Sequence, residues 1–375
     1  MLNPSAVTEN KQRLKELDML RAIAVLLVLG RHLLLIPETL SDGARSFFLL
    51  WREVGWIGVD LFFVISGFLV SGLLFQEYRL IGRISLSRFL IRRAFKIYPP
   101  FYVLLGVTLG FSSYFSLPTE KWLYLGEFFF LQNYVGSVWN HTWSLAVEEH
   151  FYIILSVVVC TLLSTNRGQS NPFKFLPTLI ISIAVTILLF RCMTGISRPV
   201  GDWAAVLGLT HFRIDSLFFG VLLSYVVHFF PSVLESIVRR FSYILLTCVI
   251  SCILIPILFP LAASRFSYTV GFTVLYLGSG ALLLLALFSP SRGQARAVRF
   301  CAPALIPIGR ASYSIYLWHM FMYYVSGHIF LSPASTTYSF ALHVSAYLVG
   351  SVVLGMLMFR LTETPSLAIR QKLFP

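Results

Sequence analysis

Two residues near the start of the chain have the types and spacing that acid–base chemistry needs. Arg21 and His32 lie eleven positions apart in an otherwise apolar run. On an α-helix, eleven residues make three turns plus roughly 20°, so both side chains face the same way, about 16 Å apart along the axis. One face then offers a cation near one end and an imidazole deep inside. A neutral imidazole can take the proton of a hydroxyl. In the alternative reading His32 only bonds a neighbouring helix and Arg31 stretches to the far interface.

Further along, Gly55-Trp-Ile-Gly58-Val-Asp60 puts a carboxylate near the end of a second apolar run. Gly58 and Gly67 would let a backbone or an extended ligand come close, or would simply permit tight helix packing. The run His141-Thr-Trp143-Ser144-Leu-Ala-Val-Glu148-Glu149-His150-Phe-Tyr152 brings two carboxylates and two histidines into one span. The glutamates could orient His32, or bind acceptor hydroxyls beside Trp143. A plainer reading makes Ser144 an N-cap with acids in the first turn, which suits the helix dipole. Arg213 and Asp215 open another span. Tyr316 and His319 share a face at i, i+3, and such a histidine is more often a bonded core residue than a catalyst.

Six cations lie between Arg79 and Lys96, followed by Tyr98-Pro99-Pro100. Arg88 and Arg92 share a helix face, as do Arg92 and Lys96. Orientation in a membrane needs fewer charges than this. Arginine forks match phosphate oxygens, so Arg88, Arg92, Arg93 and Lys96 form a candidate binding mouth for a phosphorylated cofactor such as coenzyme A.

The elements that must position these groups are membrane helices. Of 375 residues 57% are hydrophobic and only 12% charged, about half the charged share of soluble domains. Mean hydropathy is +0.79. The apolar residues form blocks long enough to span a bilayer. Backbone in lipid must satisfy its own hydrogen bonds, and no barrel-type alternation is present, so the fold class is all-α, a polytopic membrane bundle. Ten spans are expected, near 20–36, 56–76, 97–117, 146–164, 175–193, 212–230, 243–261, 269–289, 304–330 and 339–360. The stretch 123–145 reads as interfacial or re-entrant. Residues 1–17 read as a polar cytoplasmic segment and 18–375 as one membrane domain with no appended soluble domain. The first apolar run lacks a small-residue cleavage site and reads as a helix, not a signal peptide.

Loop charge orients the bundle. With ten spans, Lys11, Arg13, Lys15, the Arg79–Lys96 run, Arg167, Lys174, Arg239, Arg240, Arg292, Arg296, Arg299, Arg370 and Lys372 fall on one side. Arg45, Arg52, Lys121, Arg198 and Arg265 fall on the other. Both termini are therefore expected in the cytoplasm. The net charge of +13 follows from this and calls for no nucleic acid. The five cysteines show no metal or disulfide spacing, so no metal is expected.

Taken together, the motifs resemble the acyltransferase-3 family of membrane acyltransferases, which includes O-antigen acetylases. The likeness covers nearly the whole chain. It rests on Leu17-Asp18-x-Leu20-Arg21 with His32, on Gly58-Val-Asp60-Leu-Phe-Phe-Val-Ile-Ser66-Gly67-Phe, and on the basic run ending in Tyr98-Pro99-Pro100. It continues in His141-Thr-Trp143-Ser144-Leu-x-Val-Glu148-Glu149-x-Phe-Tyr152, in Arg213-x-Asp215, and in Gly309-Arg310-x-Ser312-Tyr313-x-x-Tyr316-Leu-Trp318-His319. Six such runs in family order are specific.

The resemblance implies a ten-helix inner-membrane enzyme that takes acyl, usually acetyl, from cytoplasmic acyl-CoA and places it on surface glycans. It implies that Arg21 and His32 are essential, with His32 the base. It also implies a cytoplasmic Arg-x-x-Arg motif; here the run reads Arg93-x-x-Lys96, which keeps the charge but loses one fork. His150 stands where many relatives have glutamine.

On this reading His32, oriented by Glu148, Glu149 or Asp60, deprotonates an acceptor hydroxyl, or briefly carries the acyl group itself. Arg21 holds the CoA end or stabilises charge. His141, Trp143, Ser144, Tyr316 and His319 are candidate acceptor-binding residues. The rival is a transporter of a lipid-linked sugar or acidic solute, using the same buried groups as a relay. The acceptor's identity, the acyl group and the oligomeric state are not legible.

Overall fold

The computed structural model describes residues 4–33, 35–114, 120–288, 292–331 and 336–374, with side chains except at 4–14, 114, 205 and 292–299. Its elements begin with α1 (Pro4–Arg31), α2 (Asp42–Val54), α3 (Ile57–Ile81) and α4 (Leu86–Tyr114). Short pieces follow: α5 (Lys121–Phe128), α6 (Gln132–Val135) and a 3₁₀ turn Asn140–Thr142. Then come α7 (Trp143–Thr165), α8 (Leu176–Ser197), α9 (Ala204–Leu207), α10 (Thr210–Phe229), α11 (Pro231–Arg240) and α12 (Ser242–Leu258). A π turn, Ser267–Gly271, runs into α13 (Phe272–Phe288). The chain closes with α14 (Arg292–Arg310), α15 (Ser312–Phe330), α16 (Thr337–Met358), a π turn at Phe359–Glu363 and α17 (Thr364–Leu373). Among the described residues every regular element is helical.

Seven helical runs are long and apolar enough to cross a membrane among the described residues, or eight if α11 and α12, bent by 75°, count as one span. The expected ten is thus not reached. α1 and α15, which carry the expected first and ninth spans, are outside that set. Charged residues in α1 and the tyrosines, serines and histidines of α15 dilute their apolar character. The overlong ninth run breaks at Ala311 into two helices. From 123 to 142 the chain forms only short helical pieces, α5 the longest at eight residues, before α7 begins at Trp143. Of the basic run, Arg79 closes α3, Arg83 lies between the helices, and Arg88, Arg92, Arg93 and Lys96 lie on the first turns of α4.

The chain divides into two compact units. The first comprises residues 1–65, 231–260 and 274–359. In it α1 packs along α14 and against α2 and α15, and α15 pairs with α16. Gly58 belongs to this packing: a Cβ there would collide with the Ala24 carbonyl of α1.

The second unit comprises residues 66–230, 261–273 and 360–375. Here α10 packs on α7 and α8, and α17 on α4. A Cβ at Gly67 would strike the Leu217 carbonyl of α10. Both glycines serve close helix approach.

Two buried polar arrangements fix the second unit. Arg191 of α8 is fully buried, and its Nη2 lies 2.7 Å from Asp215 Oδ2. The same guanidinium donates to the Phe212 carbonyl and to Thr273 Oγ1. The buried Arg213 lies 3.8 Å over the Phe272 ring. Arg191 carries no local motif and escapes sequence reading.

The second arrangement is Glu127, 0% exposed. Its carboxylate accepts from the Thr142 hydroxyl, 2.9 Å from each oxygen, and from the Trp139 amide at 3.1 Å. Gln132 Nε2 adds a bond to the Thr142 carbonyl at 3.0 Å. These bonds hold the turn that delivers His141, Thr142 and Trp143. Burial pushes the Glu127 carboxyl up to about 7, against the opposing pull of the bonds it accepts.

Replacing Arg191 with Met removes the buried cation bonded to Asp215 and should cost about 3–5 kcal/mol. The double variant Arg191→Met/Asp215→Leu should recover a good part of that; unfolding of the purified protein in detergent measures both. A raised carboxyl pKa means the folded state holds its proton more tightly than the unfolded state. Its contribution is therefore complete below about 4.5 and lost as pH rises through about 7. The thermal midpoint of wild type should fall across that window relative to Glu127→Gln, and parallel pH profiles for the two proteins would contradict this.

Candidate active site

α1 ends inside the protein, and the manner of its ending places His32. The His32 amide bonds the Leu29 carbonyl and the Leu33 amide the Gly30 carbonyl, each at 3.2 Å. This three-residue spacing tightens the last turn and deprives the Val28 carbonyl of its usual amide. Val28, Leu29 and Leu33 are at most 1% exposed, so a partner must come from the protein. The His32 ring supplies one, with Nδ1 2.9 Å from the Val28 oxygen. The Tyr347 hydroxyl donates to the Leu29 carbonyl at 3.1 Å, and the Trp51 indole to the Leu26 carbonyl at 3.1 Å. The Arg31 guanidinium lies 4.1 Å over the Trp56 ring, a cation–π contact.

His319 of α15 meets His32. Its Nε2 is 3.3 Å from His32 Nδ1, and the ring centroids are 4.8 Å apart at 61°. His319 is 0% exposed, and its own Nδ1 lies 2.5 Å from the Tyr316 carbonyl. The Tyr316 ring sits against His319 and Phe62. Three residues singled out in the sequence, His32, Tyr316 and His319, thus converge in the first unit. Arg21 is half-buried on α1 and makes no ion pair among the described residues. Asp18 pairs with Arg310 at 3.2 Å; Arg310 is 63% exposed, so this bridge locates α14 more than it stabilises it. Asp60, 1% exposed, lies on α3 within electrostatic range of Cys252.

The second unit carries the carboxylates. Glu149 is buried, and its Oε2 accepts from the Tyr98 hydroxyl at 3.0 Å. Its Oε1 is closed off without a hydrogen-bond partner. Tyr152 donates to Glu148 at 3.5 Å and meets Ser66 Oγ at 3.1 Å. The capping explanation fails for both acids. α7 begins at Trp143, so Ser144 lies in its first turn and donates to the His141 carbonyl at 3.4 Å, while the glutamates fall in the second turn. His141 is buried beside Trp139, and Trp143 lies 5.8 Å from the Arg213 guanidinium. His150 Nδ1 is 2.7 Å from Thr210 Oγ1, which gives it a hydrogen-bonding role.

The basic residues gather in this unit as well. Arg88, Arg92, Arg93 and Lys96 occupy the opening turns of α4. Pro99 has no amide, so the Phe95 carbonyl four residues back lacks its helical donor. The Ser366 hydroxyl of α17 donates to that carbonyl, and Phe374 packs on the Phe95 ring. α17 thereby carries Arg370 into electrostatic range of Arg92 and Arg93. The Nε atoms of Arg93 and Arg370 are closed off from solvent and have no hydrogen-bond partner. Crowded guanidinium groups suit an anion with several oxygens. Read from sequence, Arg370 was only a topology charge; its neighbours lie more than 270 positions away, beyond any local signal. Among the described residues no three His, Cys, Asp or Glu side chains could share a metal.

A family model described as an acyltransferase domain matches residues 14–360. The chain is 30% identical, over 381 aligned positions, to a candidate O-acetyltransferase of Staphylococcus aureus (strain COL), covering 93% of this chain and 56% of that protein. It is 29% identical to the O-acetyltransferase OatA of Staphylococcus aureus (strain NCTC 8325 / PS 47) over 339 positions, covering 84% and 52%. The chain spans little more than half the length of these relatives. No solved structure matches it. A match running from residue 14 to residue 360, in a chain of multiple membrane-length helices, makes this protein a member of the acyltransferase-3 family.

Proposed function

We propose that the protein is an O-acyltransferase of the cell inner membrane, moving an acyl group, acetyl in the first instance, from acyl-CoA to a sugar hydroxyl of a cell-surface or exported glycan. The observation that carries this reading is His32 beside His319: an imidazole fixed in place by two partners, at the position where the family resemblance expects the base. The names of the relatives, O-acetyltransferases, point to the same chemistry.

The roles divide as follows. Arg88, Arg92, Arg93, Lys96 and Arg370 take the phosphates of CoA, whose oxygens suit guanidinium forks. His32 takes the proton of the acceptor hydroxyl as its oxygen attacks the thioester carbonyl. The C–O bond forms, the C–S bond breaks, and the imidazolium returns its proton to the departing thiolate, giving the ester and free CoA. Arg21, a half-buried cation, stabilises negative charge on the donor. The glutamates and aromatic residues between His141 and Tyr152 bind acceptor hydroxyls, consistent with the polar, aromatic character of that run. On this reading both termini lie in the cytoplasm, which the asymmetry of loop charge supports.

Purified protein in nanodiscs, given radiolabelled acetyl-CoA and a panel of glycan acceptors, should transfer label. His32→Ala should lose about 100-fold or more of the rate, the typical weight of a general base, while still binding CoA. Normal transfer by correctly inserted His32→Ala would sink the base assignment. Arg93→Ala and Arg370→Ala should weaken CoA binding instead. Reporter fusions at both ends should signal a cytoplasmic location; a periplasmic signal from either end would reverse the topology.

A further inference from the structure

The two rings differ in what they can donate. His32 Nδ1 faces the Val28 carbonyl at 2.9 Å and His319 Nε2 at 3.3 Å. A carbonyl oxygen only accepts, so a nitrogen held against it in the neutral ring must carry the hydrogen. The same argument applies to His319, whose Nδ1 faces the Tyr316 carbonyl at 2.5 Å. Its Nδ1 therefore bears the hydrogen and its Nε2 a lone pair. That lone pair points at His32 Nδ1–H. The two assignments agree: each ring donates from Nδ1, and no hydrogen is left without an acceptor.

We infer that His319 is a positioning residue, not an acceptor-binding one: together with the Val28 carbonyl it locks His32 in the Nδ1–H tautomer and so leaves His32 Nε2 as the basic nitrogen. Imidazole free in water favours the other tautomer, whose Nε2–H could not accept a proton. Among the described residues nothing bonds His32 Nε2, and His32 as a whole residue is only partly buried. When Nε2 takes a proton, the new charge is stabilised through Nδ1–H by the Val28 carbonyl and the His319 lone pair. His319 thus does for His32 what a carboxylate does in a Ser-His-Asp triad, fixing tautomer and orientation, but without placing a formal negative charge in a buried site.

This inference deepens the proposed role of His32 and rests on it for its catalytic consequence; the tautomer itself does not. The tautomer is read by nitrogen NMR of the full chain, labelled with ¹⁵N-histidine, in nanodiscs at pH above the imidazole range. The His32 signals are those lost in His32→Gln. The expected result is a protonated Nδ1 and an unprotonated Nε2; a protonated Nε2 on His32 overturns the inference, whatever the enzyme's activity.

The second measurement separates positioning from packing, using label transfer from acetyl-CoA to the glycan panel. His319→Gln places an amide oxygen where Nε2 accepts, and should hold kcat within about 10-fold of wild type. His319→Phe keeps a ring but no acceptor, and should lose about 100-fold in kcat with the KM for acetyl-CoA unchanged. Equal losses in both variants, or a loss carried by KM, would assign His319 to packing or substrate binding and overturn the inference. If His32→Gln transfers normally, the base reading fails, and the NMR result still decides the clamp.

Discussion

A helix that stops inside a protein strands its last carbonyls where water cannot reach them. α1 meets this constraint residue by residue. Tyr347 and the His32 amide serve Leu29, the Leu33 amide serves Gly30, and the His32 ring serves Val28. The group proposed to do chemistry is therefore also the group that closes the helix. Its position follows from a backbone requirement, which a freely rotating side chain on a continuous helix would not have. A residue tied down by the fold needs little reorganisation when it reacts, which is where positioned general bases gain their advantage.

The same principle shapes the second unit by a different route. Two consecutive prolines remove two amides from α4. The Phe95 carbonyl, freed by Pro99, becomes a docking point for Ser366. What looks like a helix flaw is the attachment site that brings Arg370 to Arg92 and Arg93. Concentrating like charges costs energy in the unliganded protein, a cost that the proposed anion would offset. The fold thus gathers arginines from two helices distant in sequence through a backbone defect.

Much of this was legible in sequence, and what was not has a physical pattern. The membrane character, the helical class and the residues His32, Tyr316, His319, Glu148 and Glu149 could be singled out because an ionisable or hydrogen-bonding group in an apolar run is costly and therefore conspicuous. Their partners could not. Arg191 was overlooked because Asp215, which makes it tolerable, lies on another helix. Glu127 sits in a short aromatic stretch whose turn geometry no periodicity predicts. Arg370 looked like one more cytoplasmic charge. The expected spans outnumber the membrane-length helices partly where the chemistry is densest: α1 and α15 carry the polar residues of the histidine pair, and their hydropathy falls short.

That coincidence has a reason. A helix presenting an arginine, a histidine or several tyrosines to an interior must find partners for them, and each partner dilutes the apolar pattern of its own helix. His319 illustrates the limit. At i, i+3 from Tyr316 it reads as a bonded core histidine, and it is one: its Nδ1 meets a carbonyl of its own helix. Yet that local bond is what turns its other nitrogen into an acceptor for His32. Core satisfaction and a role in the site are here the same hydrogen bond, read from its two ends. Sequence can show that such a residue needs a partner; only the fold shows that the partner is the candidate base.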